Sequence, residues 1–191
     1  MSRPTILVTG AGGGGSNNLI RGLQRDGYDG KIVGSNVSRY YLGKSLADEN
    51  YLIPRGDEEG YSDALIQVVK EADIDVVIPN NGTEVRAISE FRDAVPAEVF
   101  LPPHEDISLC QDKFELTEYL LDEDVAVPRS RVVTDLDKID TIFSELNGDL
   151  LWCRLRRGSG SKGATKVRSP EQATSWIQYW EDMRDVDRGE F

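Results

Sequence analysis

Leu150–Ala164 reads LLWCRLRRGSGSKGA. An apolar run, Leu150-Leu151-Trp152-Cys153, ends in Arg154; Arg156 and Arg157 follow, then Gly158-Ser159-Gly160-Ser161-Lys162-Gly163. The apolar run predicts a buried strand that carries Arg154 to the edge of a site. The glycines beyond it permit positive φ and close approach of the backbone to a ligand. Successive free N–H groups in such a turn form an anion-binding concavity, and Arg or Lys adds full charge for phosphate. The stretch points to a polyphosphate guest; the plainer reading is a solvated Gly/Ser hairpin loop with surface cations.

Around this stretch the pattern is a mixed one. Ser108–Leu121 (SLCQDKFELTEYLL) predicts one helix, Ser130–Val133 a strand, Asp135–Leu146 an amphipathic helix, and Ala164–Val167 a strand returning beside Leu150–Arg154. Glu171–Met183 predicts a helix with Trp176, Ile177 and Trp180 on one stripe, and the charged tail Arg184–Phe191 is expected to fray. The acids Glu181, Asp182, Asp185 and Asp187 fall on that helix end and tail and do not read as a metal set.

The N-terminal half alternates differently. Thr5–Thr9 (TILVT) reads as a buried parallel strand, and Gly10-Ala11-Gly12-Gly13-Gly14-Gly15 follows at once. Ser16 or Asn17 then caps a helix to about Arg25. Gly10, Gly12 and Gly15 satisfy G-x-G-x-x-G, the dinucleotide fingerprint. That fingerprint needs an acid about 20 residues on to hold the ribose. The second strand, Lys31–Ser35, runs into Asn36 instead, although Arg39 keeps an NADP-dependent reductase open. Tyr51-Leu52-Ile53 is a weak third strand, Tyr61–Ala72 a helix, and Asp75–Pro79 a second clear buried strand. Asn80, Asn81, Gly82, Thr83 and Glu84 follow it. They share the carboxyl-end rim with Gly10–Ser16, where open α/β sheets hold ligands. Glu84 reads first as an acid favoured by the dipole of its helix, Glu84 to Arg92. Val99-Phe100-Leu101 is a fifth strand, closed by Pro102-Pro103. Strands and helices in this order imply a right-handed, doubly wound parallel sheet.

The 191 residues carry a net charge of −12 and 39% hydrophobic content. The charge argues against nucleic acid or an anionic membrane, whose recognition needs clustered cations. It suits a cytoplasmic protein. No apolar run approaches the roughly 20 residues that span a bilayer, and MSRPTILVTG enters a strand pattern directly, so no signal peptide is expected. Cys110 and Cys153 form no C-x-x-C pair and are expected to be buried thiols. His104 is the sole histidine, read as a loop residue after the prolines, which leaves little room for triad or multi-histidine metal chemistry.

Four stretches, in order, carry a resemblance: ILVTGAGGGG, DVVIPNNGTE, CQDKFELTEYLLDEDVAVPRS and LLWCRLRRGSGSKGA. Together they resemble the ATP-grasp superfamily, nearest to proteins similar to the large subunit of carbamoyl-phosphate synthase. The resemblance implies an α/β fold. Residues 1–105 would form a Rossmann-like pre-ATP-grasp domain with a doubly wound parallel sheet. Residues 106–191 would form the first α+β subdomain of the grasp, the rest of which is missing. It implies ATP and Mg²⁺ as cofactors, with the metal ligands downstream of residue 191. Lys113 would contact ATP near the adenine and α-phosphate, and Arg154 would meet the α/β-phosphates as the catalytic cation. Gly158, Ser159, Gly160, Ser161, Lys162 and Gly163 would close over the phosphates. Leu155 stands where many members have Pro, implying a less stiff loop. Gly12, Gly13, Asn80 and Glu84 would face the substrate side. The implied activity of the intact protein is ligation: ATP activates a small carboxylate as an acyl phosphate for attack by an amine or ammonia. The portion in hand is expected to be inactive alone, and a homodimer is compatible. The rival readings are an NAD(P)-dependent reductase built on Gly10–Gly15 and a non-catalytic nucleotide-binding module.

Overall fold

A computed structural model describes residues 3–184 and 186–191; Asp185, set aside above as a metal ligand, lies outside them. The chain divides into two compact units, up to Ile107 and from Ser108 onward.

The first unit runs β1 (Ile6–Thr9), α1 (Gly14–Arg25), β2 (Ile32–Asn36), α2 (Arg39–Leu42), β3 (Glu49–Leu52), α3 (Tyr61–Glu71), β4 (Val76–Ile78), α4 (Gly82–Phe91) and β5 (Glu98–Val99). Its five strands are parallel in the order β3-β2-β1-β4-β5, with Ile6 opposite both Ile32 and Val76. Alternation along β1 sends Leu7 to one face and Ile6 and Val8 to the other. Leu7 packs with Leu65 of α3 and Ile88 of α4, while Ile6 and Val8 pack with Ile20 of α1. Helices cover both faces, so the sheet is doubly wound, and the order in which strands are added reverses between β1 and β4. A ligand crevice in such a sheet opens at that reversal, beyond the carboxyl ends of the strands.

Several expectations are corrected here. Helix α1 begins at Gly14 with Gly13 as its cap residue, so Ser16 and Asn17 lie inside it and are buried. The Ser16 hydroxyl instead reaches the Thr9 and Gly10 carbonyls, and the Asn17 amide donates to the Lys44 carbonyl. The fifth strand is only two residues long; Phe100, beyond it, is 71% exposed, and Pro102 and Pro103 have no N–H to extend the ladder further. His104 is not a loop residue but opens helix α5 (His104–Gln111), its Nδ1 hydrogen-bonded to the Ser89 hydroxyl at 2.8 Å.

The second unit contains α6 (Lys113–Asp122), α7 (Ile139–Leu146), the antiparallel pair β6 (Leu151–Cys153) and β7 (Thr165–Val167), and α8 (Pro170–Arg184). Its core joins Val133, Ile139, Val167, Ala173, Ile177 and Phe191. The single helix expected over Ser108–Leu121 is broken at Asp112, whose extended backbone ends α5 and caps α6. Ser130–Val133 forms no strand; Val133 N–H donates to the Phe191 carbonyl. A short 3₁₀ turn precedes α7 where one longer helix was expected. The tail is not frayed at its end: Phe191 is buried and Arg188 forms a two-armed pair with Glu181. Strand β6 is half-buried rather than buried, with Trp152 exposed and Leu151 and Cys153 turned to the core. Burial pushes the Cys153 thiol up to about 11. Cys110, expected to be buried, is exposed.

Candidate functional site

In the first unit the glycine loop after β1 and the segment after β4 form one rim. Gly10 and Gly12 have φ of +63° and +81°, conformations that glycine adopts without strain. A Cβ on Gly12 would overlap the Tyr41 carbonyl, because the backbone of α2 lies directly on the loop. In a dinucleotide site the backbone at the second glycine approaches a pyrophosphate; here the chain itself fills that approach. Asn36, where the ribose acid would stand, donates from its amide to the Ala11 carbonyl and accepts from Ser38 N–H. Both observations weigh against the reductase reading.

Asn80 reaches back across the rim, its N–H bonded to Thr9 Oγ1 and its amide to Ser16 Oγ at 2.9 Å. Asn81 caps α4 by accepting from Glu84 N–H, and its amide donates to the Glu84 carboxylate. Glu84 is in the first turn, as expected, but only 5% exposed. Burial raises its pKa, against the polar groups of Thr9, Tyr61 and Asn81 beside it, which lower it. Burial likewise raises the Tyr61 phenol, which lies beside Glu84 without a well-formed hydrogen bond. A cavity of about 100 Å³, lined by Gly10, Asn36, Arg55, Asn81 and Glu84 among others, opens above this carboxyl. Of the four residues expected on the substrate side, Glu84 lines it, whereas Gly12 packs on Tyr41, Gly13 is the cap residue of α1 and Asn80 braces α1.

In the second unit Lys113, Arg154 and the start of the glycine loop come together. Asp112 caps α6 through bonds from Phe114 and Glu115 N–H, and this puts Lys113 at the first helical position. Lys113 Nζ donates to the carbonyls of Arg156 at 3.0 Å and Gly158 at 2.9 Å. Burial lowers the Lys113 pKa first, then repulsion from Arg154; Asp112 opposes both. Arg154 leaves β6 on the exposed side, after Cys153, and has no acidic partner among the described residues. Arg156 and Arg157, open to reading as solvated, are instead paired with Asp112, at 2.7 and 2.9 Å. The loop then turns through positive φ at Gly158, Gly160, Ser161 and Gly163. Ser159, Gly160, Ser161 and Lys162 are exposed. Gly163 is buried: its carbonyl accepts from Trp176 Nε1, and a Cβ there would lie 2.6 Å from Leu155 Cγ. Leu155 thus anchors the loop's far end by packing. Lys113 and Arg154 also line an open cavity of about 440 Å³ whose floor is apolar, with Ile142, Leu151 and Ile177. No group of three or more His, Cys, Asp or Glu suited to a metal ion occurs among the described residues.

The sequence pattern missed Asp112. Its signal was adjacency to Lys113 in QDK, but its partners lie more than 40 residues away.

A parallel sheet with a glycine-rich reversal point, followed by an α+β unit with a strand-borne arginine and a second glycine loop, is a fold this chain shares with solved N5-carboxyaminoimidazole synthetase and biotin carboxylase structures. More particularly, residues 6–99 match the PylC-like N-terminal domain family. Among solved structures, N5-carboxyaminoimidazole synthetase from Staphylococcus aureus, complexed with ADP, superposes with a TM-score of 0.68 at 17% identity, over 94% of this chain and 44% of that one. Carboxyaminoimidazole ribonucleotide synthase from Aspergillus clavatus, complexed with ATP, gives 0.69 at 17% identity, over 94% and 45%. The biotin carboxylase domain of Hydrogenobacter thermophilus 2-oxoglutarate carboxylase, with MgADP and bicarbonate, gives 0.66 at 19% identity, over 93% and 40%. The chain spans less than half the length of these structures. Comparison with curated protein sequences gave no match.

Proposed function

We propose that these residues form the nucleotide-binding wall of an ATP-grasp ligase that activates a carboxylate as an acyl phosphate for attack by an amine or ammonia. The observation that carries this reading is the cluster of Lys113 and Arg154 beside the Gly158–Gly163 loop, with no acid paired to Arg154 among the described residues. Two neighbouring cations that repel one another are stabilised by a polyanion placed between them. The exposed loop residues offer backbone N–H groups to the same anion. The apolar floor of the adjoining cavity suits a purine base, within the usual volume range of small-molecule sites.

In the reaction the carboxylate oxygen attacks the γ-phosphorus, the bond to the bridging oxygen breaks, and ADP departs. The amine then attacks the acyl carbon and phosphate leaves. Arg154 and Lys113 would neutralise charge on the phosphates, and the loop would exclude water. Phosphoryl transfer of this kind needs positioning and charge rather than a side-chain nucleophile, in keeping with a single histidine. Mg²⁺ would offset phosphate charge; the described residues include no ligand set for it, so no step is assigned through it. The first unit's rim, with Glu84, would meet the substrate. The arginine at the strand end favours the carbamoyl-phosphate-synthase-like branch, which the resemblance gives Arg at that position.

Nuclear magnetic resonance titration with MgADP tests the reading, since it detects weak sites. Amide shifts at Arg154 and Gly158–Gly163 are expected, and Arg154→Ala should abolish them. Shifts at Gly10–Gly15 on adding NADPH, with none from MgADP, would replace this reading with the reductase.

A further inference from the structure

The cations gathered at the second glycine loop divide into two sets. Arg154 and Lys162 meet no acid among the described residues, whereas Arg156 and Arg157 both converge on Asp112. Arg156 donates from Nε and Nη2 to the two carboxylate oxygens, at 3.2 and 2.7 Å. Its Nη2 also reaches Glu115, and Arg157 also pairs with Glu190. The Asp112 side chain is only 2% exposed, so this is a buried carboxylate matched by two guanidinium groups and two helix N–H donors. Removing one side of such an arrangement leaves a buried charge without compensation.

The pairing fixes more than charge. By holding the Arg156 side chain, Asp112 holds the peptide whose carbonyl accepts from both Lys113 N–H and Lys113 Nζ, each at 3.0 Å. Lys113 Nζ grips the Gly158 carbonyl, where the loop begins. One carboxylate therefore joins the start of α6, the exit of β6 and the first residue of the loop.

We propose that Asp112 is a positioning residue for the nucleotide site, neutralising Arg156 and Arg157 at its edge and setting Lys113 and the loop entrance where a phosphate meets them. The proposal rests on the nucleotide reading above. A helix cap alone would need only an acceptor oxygen, which asparagine supplies equally well. Neutralising two guanidinium groups needs the carboxylate.

Asp112→Asn in the 191-residue chain separates the two roles. Expected are retained α6 amide signals, displaced amide signals at Arg156–Gly163, a lower Lys113 titration midpoint once its attractive carboxylate is gone, and MgADP affinity reduced roughly tenfold, the loss of one charge-assisted hydrogen bond. Unchanged Lys113 titration and loop amides would leave Asp112 a cap and overturn the proposal. Should this variant fail to fold, Arg156→Gln breaks the same pair with the cap intact; it must displace the loop signals likewise, or the proposal falls. If MgADP shifts nothing in the wild type, the nucleotide reading fails by itself, since the Lys113 and loop signals are read without ligand.

Discussion

Glu84 is a carboxyl group removed from water with no ion pair among the described residues. Its raised pKa means that the folded chain holds the proton more tightly than the unfolded chain does. The associated stability is complete below the ordinary carboxylate pKa and is lost as pH rises through the raised one. Glu84→Gln removes the titration while keeping the shape and the acceptor for Asn81. Urea unfolding of the two proteins at pH 5 and pH 8 should therefore show the variant gaining on the wild type as pH rises; parallel behaviour would mean that Glu84 is charged throughout. Asp112 behaves oppositely. Burial pushes its pKa up, but Arg156 and the Glu115 and Phe114 amides outweigh burial and hold it below its ordinary value. Its contribution is present above that ordinary value and is lost as pH falls through the lowered one. At this scale the sequence was partly legible. Arg154 and Lys113 stand out by charge and by neighbouring glycines, whereas Glu84 looks like any first-turn acid, because Thr9 and Tyr61, which bury it, come from distant elements.

Elements were legible where local pattern governs them. The five parallel strands and helices α1, α3 and α4 follow from short β-branched runs, helical spacing and turn residues, and β6 and β7 from the apolar run and its return, whereas the four-residue α2 was not foreseen. The break at Asp112 was not legible, because SLCQDKFELTEYLL keeps a helical apolar spacing throughout. What interrupts it is an arginine 44 positions away. The packed tail escaped for a similar reason: Phe191 is held by the segment around Val133, which the charged composition of the tail does not reveal. Phe191→Ala should cost about 3 kcal/mol by chemical denaturation, the lower end for removing a buried aromatic ring; a loss under about 0.5 kcal/mol would mean that the tail is not part of the core. The loop after β1 makes a sharper demand. Gly12→Ala combines a strained φ of +81° with overlap on Tyr41 backbone, so it should destabilise by about 3 kcal/mol or more. Gly14→Ala is the control: nothing lies within 4 Å of its added Cβ, and its thermal midpoint should not fall.

At the level of the whole molecule, 34 acidic residues against 22 Lys and Arg leave a net charge of −12, and the cations in the second unit are largely paired or gathered at one loop. No helix of the described residues is long and apolar enough to cross a membrane. A labelled DNA duplex should therefore run unshifted with this protein in about 0.15 M salt, where only direct charge contacts survive screening; a shifted band would reveal a basic face that the charge distribution does not contain. The chain divides into two compact units between Ile107 and Ser108, and the sequence changes character after Pro102-Pro103, from strand–helix alternation to a mixed pattern.

The backbone of Tyr41 lying on Gly12 also bears on redesign. Installing an acid at Asn36 to create a nicotinamide-cofactor enzyme would complete the fingerprint on paper and yield no binding, because the obstacle is main chain and not a missing side chain. Any successful conversion would have to lift the Arg39–Leu42 turn off the loop first, and that turn is where remodelling should begin.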